Sequence, residues 1–424
     1  MGTFESLLDE MCPTGVKYLP LGSLGKFFGG LSGKTKDDFI DGNEKFITYK
    51  NVFTNPELKI DVEDTVKIGP NEKQRALEYG DVIFTGSSET PEECGYSSVL
   101  TFKTEEKLFL NSFCFVFKFD DPSIMLPDFS KHLFRSHEVR KQIVKTASGV
   151  TRYNVSKKLM EKVIIPVPPI EVQKEIVNIL DSFLNLIEYL NEELCLRKKQ
   201  YEYYIDYLFG GSYEGMIALE QKGSKIIPLA KAGTLTRGKR FVHADAVDEG
   251  VPCIHYGELY TYYGIWTEKA KSHVREELRP KLRYAEKNDV IIVGAGENNI
   301  DIGVGVAYLG EEPVAIHDAC YFLHHNINPK YISYYLRTSM YHNQIKKYVS
   351  SGKICAISAD GLGRALMPVP SMEEQQRIVD ILDQFDTLCN SKEIGLPAEI
   401  DYRRMQYEYY RDKLLAFGNW WKGG

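Results

Sequence analysis

The chain runs to 424 residues, of which 43% are hydrophobic, 26% charged and 12% aromatic, a globular composition too long for one ordinary core and suited to two domains. No apolar stretch lasts more than a handful of residues before a charge, which excludes a transmembrane helix, and eight cysteines without a Cys-x-x-Cys argue against a zinc site or a disulfide framework. A formal charge of −7 argues against a protein that coats nucleic acid non-specifically, though not against a binder whose positive charge is local.

In chain order, the first residues carry Glu5, Asp9 and Glu10 and no base, the wrong chemistry for a signal peptide, so a soluble cytoplasmic protein is expected. Residues 1–165 read as a mixed α+β domain. Short β-rich runs such as 81–84 are separated by Gly- and Asn-containing turns, and a helix is predicted near 129–145. Residues 166–211 read as a long helix. Pro166, Pro168 and Pro169 punctuate its start, and Gly210 and Gly211 end it. Its apolar seam is Ile176, Leu180, Phe183, Ile187, Leu190, Leu194, then Arg197, then Tyr201, Tyr204 and Leu208. The steps alternate four and three, the heptad signature of a coiled coil.

The chain then repeats itself. Residues 212–367 form a second domain, with a β-rich run at 289–293 and a helix predicted near 331–348, and residues 368–424 form a second helical segment. Pro166-Val-Pro-Pro-Ile-Glu-Val-Gln-Lys-Glu-Ile-Val-Asn-Ile-Leu-Asp-Ser-Phe183 recurs as Pro368-Val-Pro-Ser-Met-Glu-Glu-Gln-Gln-Arg-Ile-Val-Asp-Ile-Leu-Asp-Gln-Phe385, and Gln200-Tyr-Glu-Tyr-Tyr204 as Gln406-Tyr-Glu-Tyr-Tyr410. Gly86 answers to Gly294, and Cys114 to Cys320. Helices kept alike imply one shared task, and domains allowed to drift imply two targets. Extra residues between Cys389 and Ile400, with Gly395 and Pro397 among them, predict a break in the second helix. Arg197 and Arg403 are repeat-equivalent, either snorkelling at the seam edge or paired with an acid such as Glu193 or Glu399.

Partitioned along the repeat, the domains carry −2 and +2, while the helical segments carry −4 and −3. Within the domains the bases cluster just before each helix: nine between Lys131 and Lys162, six between Lys330 and Arg364. Such clusters can neutralise several phosphates, or can merely solvate a helix face. Candidate DNA contacts in these clusters are Lys145, Lys346, Lys347 and Lys353. Adjoining loops add Ser148, Arg152 and Asn154 in the first domain, and Arg237, Lys239 and Arg240 in the second, since Arg and Asn bond guanine and adenine edges bidentately. Lys34, Thr35 and Lys36 are taken as the counterparts of that second-domain loop. Lys50 and Asn51 are aligned with the segment beginning at Tyr256.

Catalytic motifs are wanting. Gly29-Gly-Leu-Ser-Gly33-Lys34-Thr35 invites comparison with a phosphate-binding loop, but the position that must be glycine is Phe28. Cys253 with His255, and His317 with Cys320, lack a second clustered pair for a metal. The reading is a binder with no metal or catalytic residue of its own.

Two diverged domains, each followed by a closely repeated helix, resemble the specificity (S, HsdS) subunit of type I restriction–modification systems. The Pro-x-Pro start of each helix, the Gln-Tyr-Glu-Tyr-Tyr stretches and Leu396-Pro-Ala-Glu399 carry the resemblance, which spans essentially the whole chain. It implies two target recognition domains, each reading one half of a split, asymmetric DNA sequence, with the helices paired as an antiparallel coiled coil that sets the spacing. It further implies docking of two modification (methyltransferase) subunits, for which Gln200, Tyr201, Tyr203, Tyr204, Gln406, Tyr407, Tyr409 and Tyr410 are the candidates. S-adenosylmethionine, ATP and Mg would belong to the modification and restriction subunits, and none to this chain. The readings left open are a methyltransferase-only system and a coiled-coil scaffold joining two protein-binding domains.

Overall fold

A computed structural model describes residues 2–350 and 352–417; residues 418–424, the end of the expected distal segment, lie outside the described residues. The chain divides into two compact units, and the division cuts across the repeat. One unit comprises residues 1–190 and 400–424, the other residues 191–399. Each unit thus holds one domain, the first part of the helix that follows it, and the last part of the helix from the other repeat.

In the first unit a four-stranded antiparallel sheet runs in the order Gly25–Gly29, Cys114–Phe119, Val82–Thr85, Ser97–Val99. Its inner strand is buried along almost its whole length because Cys114-Phe-Val-Phe-Lys-Phe faces protein on both sides. A three-stranded sheet (Thr65–Val66, Glu44–Ile47, Leu108–Leu110) packs an aliphatic cluster around Ile47, Val52, Leu58 and Leu108. The second unit repeats this plan with five-stranded sheets. Its main one runs Gly233–Arg237, Cys320–His325, Val290–Val293, Gly305–Tyr308, Trp266–Thr267.

A two-stranded antiparallel ribbon closes each domain. Lys17–Pro20 pairs with Ile164–Val167, and Lys225–Pro228 with Leu366–Val369. The ribbon brings the domain's two ends together immediately before the helix, and a buried glutamine locks the start of that helix. Gln173 Nε2 donates to the carbonyls of Pro168 and Ile124 and its Oε1 accepts from Leu126 N–H, each at 2.8 Å. Gln375 does the same with Pro370 and Asn328, at 2.9 Å. The glutamine of the repeated motif therefore satisfies orphan backbone groups that a buried helix start would otherwise leave unpaired.

The single helices expected near 129–145 and 331–348 are each two helices: Pro127–Leu133 with His137–Val144, and Pro329–Tyr335 with Ser339–Ile345. Ser136 and Thr338 stand at the breaks. Their hydroxyls donate back to Leu133 and Tyr335 carbonyls at 2.7 and 2.8 Å, offering the backbone an alternative to helix.

The central helix spans Ile170–Leu208 without interruption, and its seam is buried where the heptads put it: Ile176, Leu180, Ile187 and Tyr201 are all under 10% exposed. The second helical segment is broken as the spacing predicts, into Met372–Asn390 and Leu396–Leu415. Gly395 sits in the corner, where an added Cβ would lie 2.4 Å from the Thr387 carbonyl oxygen, so no larger residue fits without moving the backbone. In the second unit the pairing is antiparallel, with Phe385 against Tyr201 and Tyr204 while the later Cys389 lies beside the earlier Arg197 and Lys198.

The repeated motif residues join domain to helices in both units. In the first, Asp181 takes Lys131 and His132, and Phe183 stacks on Tyr410 at 5.3 Å between ring centroids. In the second, Asp383 takes Lys330 and Tyr334, and Phe385 stacks on Tyr204 at 5.2 Å. Asp412 and Asp206 each accept the first backbone N–H of a domain helix, at His137 (2.9 Å) and Ser339 (2.7 Å). An acceptor there also complements the positive end of the helix dipole.

Candidate nucleic-acid interface

Each domain ends in a small β-platform just before its helix. In the first unit the hairpin Ala147–Ser148 and Tyr153–Val155 pairs with Ser87–Ser88. The turn needs glycine: Gly149 has φ +154°, and an added Cβ would meet the Arg152 carbonyl oxygen at 2.0 Å. Arg152 lies across the platform with Nε and Nη2 donating to Ser87 Oγ at 3.2 and 3.0 Å and its guanidinium 5.3 Å from the centre of the exposed Phe113 ring. Ser148, Val150 and Asn154 are exposed beside it. Tyr49 O–H donates to the Ser87 carbonyl at 2.8 Å, which brings the exposed Lys50 to the same platform.

In the second unit Ala295–Gly296 pairs with Cys355–Ala356, and Ser350 bridges to Ala356. A cleft of about 370 Å³ opens beside this pair, lined by Arg237, Tyr321, Tyr348, Ser350 and Ser358 among others. Arg237 ends its strand there, and its Nε donates to the Asp318 carbonyl at 2.7 Å. Lys239 and Arg240 follow, both exposed. Tyr256 packs 5.9 Å from the His317 ring, which stacks on His255 at 4.7 Å. Burial holds both imidazoles below the usual histidine range, so these rings present neutral faces at neutral pH. Lys346 and Lys347 are exposed on a short 3-10 turn ending at Tyr348, and Lys353 is exposed in the hairpin loop.

Strand register corrects one expected correspondence. Gly29 lies opposite Phe115, as Arg237 lies opposite Tyr321, and Leu31 and Lys239 donate to equivalent carbonyls, Leu110 and Ile316. The first-domain counterparts of Arg237, Lys239 and Arg240 are therefore Gly29, Leu31 and Ser32, in the segment directly before Gly33-Lys34-Thr35-Lys36. Lys34 is instead folded onto Glu72 at 2.6 Å and onto the Lys67 carbonyl, while Thr35 caps the turn Lys36–Phe39 through Asp38. Only Lys36 of that trio is exposed and unengaged among the contacts described.

Three further expected site residues are buried, and their polar groups are spent inside the protein. Asn51 donates to the Lys59 carbonyl at 2.7 Å and pairs with Asn55. Tyr407 bonds His132 through its hydroxyl at 2.9 Å, and Tyr201 bonds Asp386 at 3.2 Å. The basic clusters also thin out. Lys131 is buried among Glu57, Asp128 and Asp181, and Arg135 and Arg140 donate to backbone carbonyls at Val52, Phe53 and Ser97 and at Glu92, Cys94 and Gly95. Arg135 is so desolvated that its guanidinium is pulled down to about 10. Lys145 stays exposed at the end of its helix. Sequence reasoning passed over Ser87, Phe113 and Tyr348, although the first two adjoin Gly86 and Cys114, which the repeat aligns.

On the helices, Gln200 and Gln406 each accept from an arginine one turn earlier, Arg197 and Arg403, at 2.8 Å. Arg197 also pairs with Glu193 at 2.8 Å. Tyr204 and Tyr410 lie half-buried against Phe385 and Phe183. Tyr203 and Tyr409 stand out, 61% and 60% exposed at equivalent positions, each within a line of exposed apolar residues. Leu196 and Tyr207 flank the first; Tyr402 and Met405 precede the second. Among the described residues no helix is long and apolar enough to cross a membrane, and no group of His, Cys, Asp and Glu could hold a metal.

The family model described as the type I restriction modification DNA specificity domain matches the chain twice, at residues 13–195 and 230–402. The specificity subunit of the Escherichia coli EcoR124I/EcoR124II type I restriction enzyme is 35% identical over 279 residues, 62% of this chain and 65% of that one. The MjaVIII specificity subunit of Methanocaldococcus jannaschii is 23% identical over 62% of this chain and 64% of its own. The alignments span about two thirds of the length of these relatives. Among solved structures, a chain from a study of complex assembly and conformational transition of the type I R-M system matches at TM-score 0.61 and 17% identity, covering 95% of this chain and 98% of that one. The HsdS subunit of Thermoanaerobacter tengcongensis matches at TM-score 0.50 and 18% identity, over 95% and 97%.

Proposed function

This chain belongs to the type I restriction–modification DNA specificity family, and from that premise we propose that it selects the DNA sequence on which a larger complex acts. Each domain reads one half of a bipartite, asymmetric target in double-stranded DNA. The platforms just before the helices are the reading surfaces: Ser148, Arg152, Asn154 and Lys50 in the first unit, Arg237, Lys239, Arg240 and Tyr256 in the second. Arg and Asn side chains contact base edges, while Lys36, Lys145, Lys346, Lys347 and Lys353 supply sequence-independent attraction to phosphate. One observation carries this reading. Two domains of the same plan present platforms at the same place with different side chains, Arg152 where the other has Ile354 and Phe113 where the other has Ala319. A shared frame with exchanged surface chemistry is what two different half-sites require.

The helical segments set the gap between half-sites and dock two modification subunits. Gln173, Ile176, Leu180, Asp181, Phe183, Gln200 and Tyr201, with their counterparts in the second copy, have tasks inside their own units, whereas Tyr203 and Tyr409 keep most of their surface in solvent. Exposed tyrosines on a rigid helix give broad, amphipathic contact area at little entropic cost, the profile of an interface anchor. Methyl transfer with S-adenosylmethionine and ATP-driven cleavage belong to the partner subunits in this scheme, and this chain's contribution is recognition alone.

Methylation mapping by long-read sequencing, with the gene intact and deleted, tests the reading. A bipartite methylated motif should vanish on deletion, and an unchanged methylome in cells with an active system would sink it. Replacing residues 1–165 by another such domain should change one half-site and leave the other as it was.

A further inference from the structure

We propose that Lys157 in the first unit and Arg237 in the second are the same reading position delivered from opposite walls of one cleft, each contacting a guanine in its half-site. The inference rests on the DNA-recognition reading above and names which side chains do the selecting. Strand pairing fixes the correspondence. Gly29 and Arg237 occupy one position, opposite the rings of Phe115 and Tyr321. Lys157 and Ala359 occupy another, each directly after a serine that caps a short helix, Ser156 and Ser358.

The two positions are complementary in size. Where the second unit has arginine on the strand it has alanine on the helix, which packs beside that strand. Where the first unit has lysine on the helix it has glycine on the strand. The lysine fills the room so left: its ammonium lies 5.6 Å from the centre of the Phe115 ring and 3.7 Å from where a Cβ on Gly29 would stand. Lys157 thus stands over the Phe115 ring, Arg237 lines one cleft with its strand partner Tyr321, and in each unit the residue at the other position is small. Conservation of the charge while its carrier moves is not expected of lysines and arginines that only solvate a surface.

The chemistry of the cations points to guanine, whose major-groove edge offers two acceptors, O6 and N7. Arg237 is oriented by the bond from Nε to the Asp318 carbonyl, which leaves the two Nη groups to present a fork. Lys157 brings a compact charge able to reach the same acceptors.

The test is methylome mapping in cells carrying the chain as wild type, Lys157→Ala, Arg237→Ala, and the double variant Lys157→Ala with Gly29→Arg. The double variant moves the cation to the other wall, and Gly29 tolerates it because its φ is not positive and its added Cβ would meet only the lysine being removed. Lys157→Ala should relax one G·C position in one half-site, with discrimination there falling roughly ten- to hundred-fold, while the other half-site stays sharp. Arg237→Ala should do the reverse, and the double variant should recover the G·C position that Lys157→Ala loses. A wild-type motif that neither single variant alters, or that each weakens at every site alike without a change of sequence, overturns this assignment alone. A wild-type gene without effect on the methylome overturns the recognition reading and this one with it. Both side chains are exposed, so equal thermal stability of the variants is expected and separates lost reading from lost folding.

Discussion

Tyr407 and Tyr201 are the same residue of the repeat, buried to the same degree, and their hydroxyls have very different surroundings. Tyr407 meets His132, which has no exposed surface. Asp181 can only accept, since His132 and the neighbouring Lys131 hold its carboxyl below the usual range, and burial holds His132 itself below the usual histidine range, so the 2.8 Å contact puts the one imidazole proton on Nε2. Nδ1 is then an acceptor, and the Tyr407 O–H donates to it. Tyr407→Phe leaves that acceptor buried and unpaired, a cost of about 1–3 kcal/mol. Tyr201→Phe removes a longer bond to Asp386, which is only half-buried and keeps the Asn390 amide at 2.8 Å, so the loss should be nearer 0.5 kcal/mol. For units of about 200 residues each kcal/mol moves the midpoint by roughly 2–4 °C, so the first variant should melt roughly 2–12 °C lower and the second within about 2 °C of wild type. Calorimetry of the full chain gives the midpoints, and peptide-level hydrogen exchange should place the loosening of Tyr407→Phe in the first unit. Equal effects of the two substitutions, or a neutral Tyr407→Phe, would refute the account of His132 as a buried, singly protonated coupler between domain and helix.

Burial lifts the Asp81 carboxyl to about 6, and its Oδ1 has no partner while Oδ2 accepts from Glu78 N–H at 2.8 Å. The folded state therefore binds the proton more tightly than the unfolded chain, and stability is lost as pH rises through about 6. Asp81→Asn should gain on wild type as pH rises from about 3 to about 7, by up to roughly 3 kcal/mol, and a pH-independent difference in melting would contradict the burial argument. Arg140→Ala should destabilise the first unit by about 1–3 kcal/mol because three carbonyls lose their donor, whereas Lys145→Ala should leave melting unchanged and weaken binding to all DNA alike; a salt titration of binding checks the second half. Tyr203→Ala and Tyr409→Ala should leave melting and DNA affinity intact while reducing co-purification of modification subunits, and undiminished assembly of the double variant would remove these tyrosines from the interface. Gln173→Leu keeps volume but strands backbone groups at three positions, so a loss of about 1–3 kcal/mol in denaturant titration is expected.

The helices were legible because their chemistry is periodic. A buried seam forces apolar residues to recur, and the seam from Ile176 to Leu208 is written in the chain residue by residue. The break at Gly395 was equally visible, since extra residues between two matched stretches have nowhere to go in a continuous helix. Other features depend on neighbours distant in sequence. Lys131, Arg135 and Arg140 count as surface charge until the carboxylates and carbonyls that surround them are known. The matching of the Lys34-Thr35-Lys36 loop to the loop of Arg237, Lys239 and Arg240 failed because the loop motifs look alike, while true correspondence is set by which strand residue faces Phe115 or Tyr321. The sharing of each helix between two compact units could not be read at all: chain order suggests that a helix belongs to the domain before it, whereas Tyr407 bonds His132 across 275 residues.

The partition of charge bears on where the partners go. The helical segments carry −4 and −3, and Glu171, Glu188, Glu192 and Glu202 on the central helix are exposed. Carboxylates on a solvent-facing helix repel phosphate over a Debye length of about 8 Å at physiological salt, so DNA is disfavoured along these surfaces and left to the platforms, where the exposed bases are. The same acid does not deter a protein partner, which can bring complementary lysines and arginines around tyrosine anchors. An acidic helix bearing exposed aromatics is therefore suited to hold an enzyme subunit while keeping the duplex off the contact. Raising salt should accordingly weaken DNA binding steeply and subunit assembly only modestly, since the first depends on released counterions and the second chiefly on buried tyrosine surface. Parallel titrations of the two equilibria should separate by orders of magnitude between 50 and 200 mM salt, and similar slopes would show that charge rather than the tyrosine face holds the subunits.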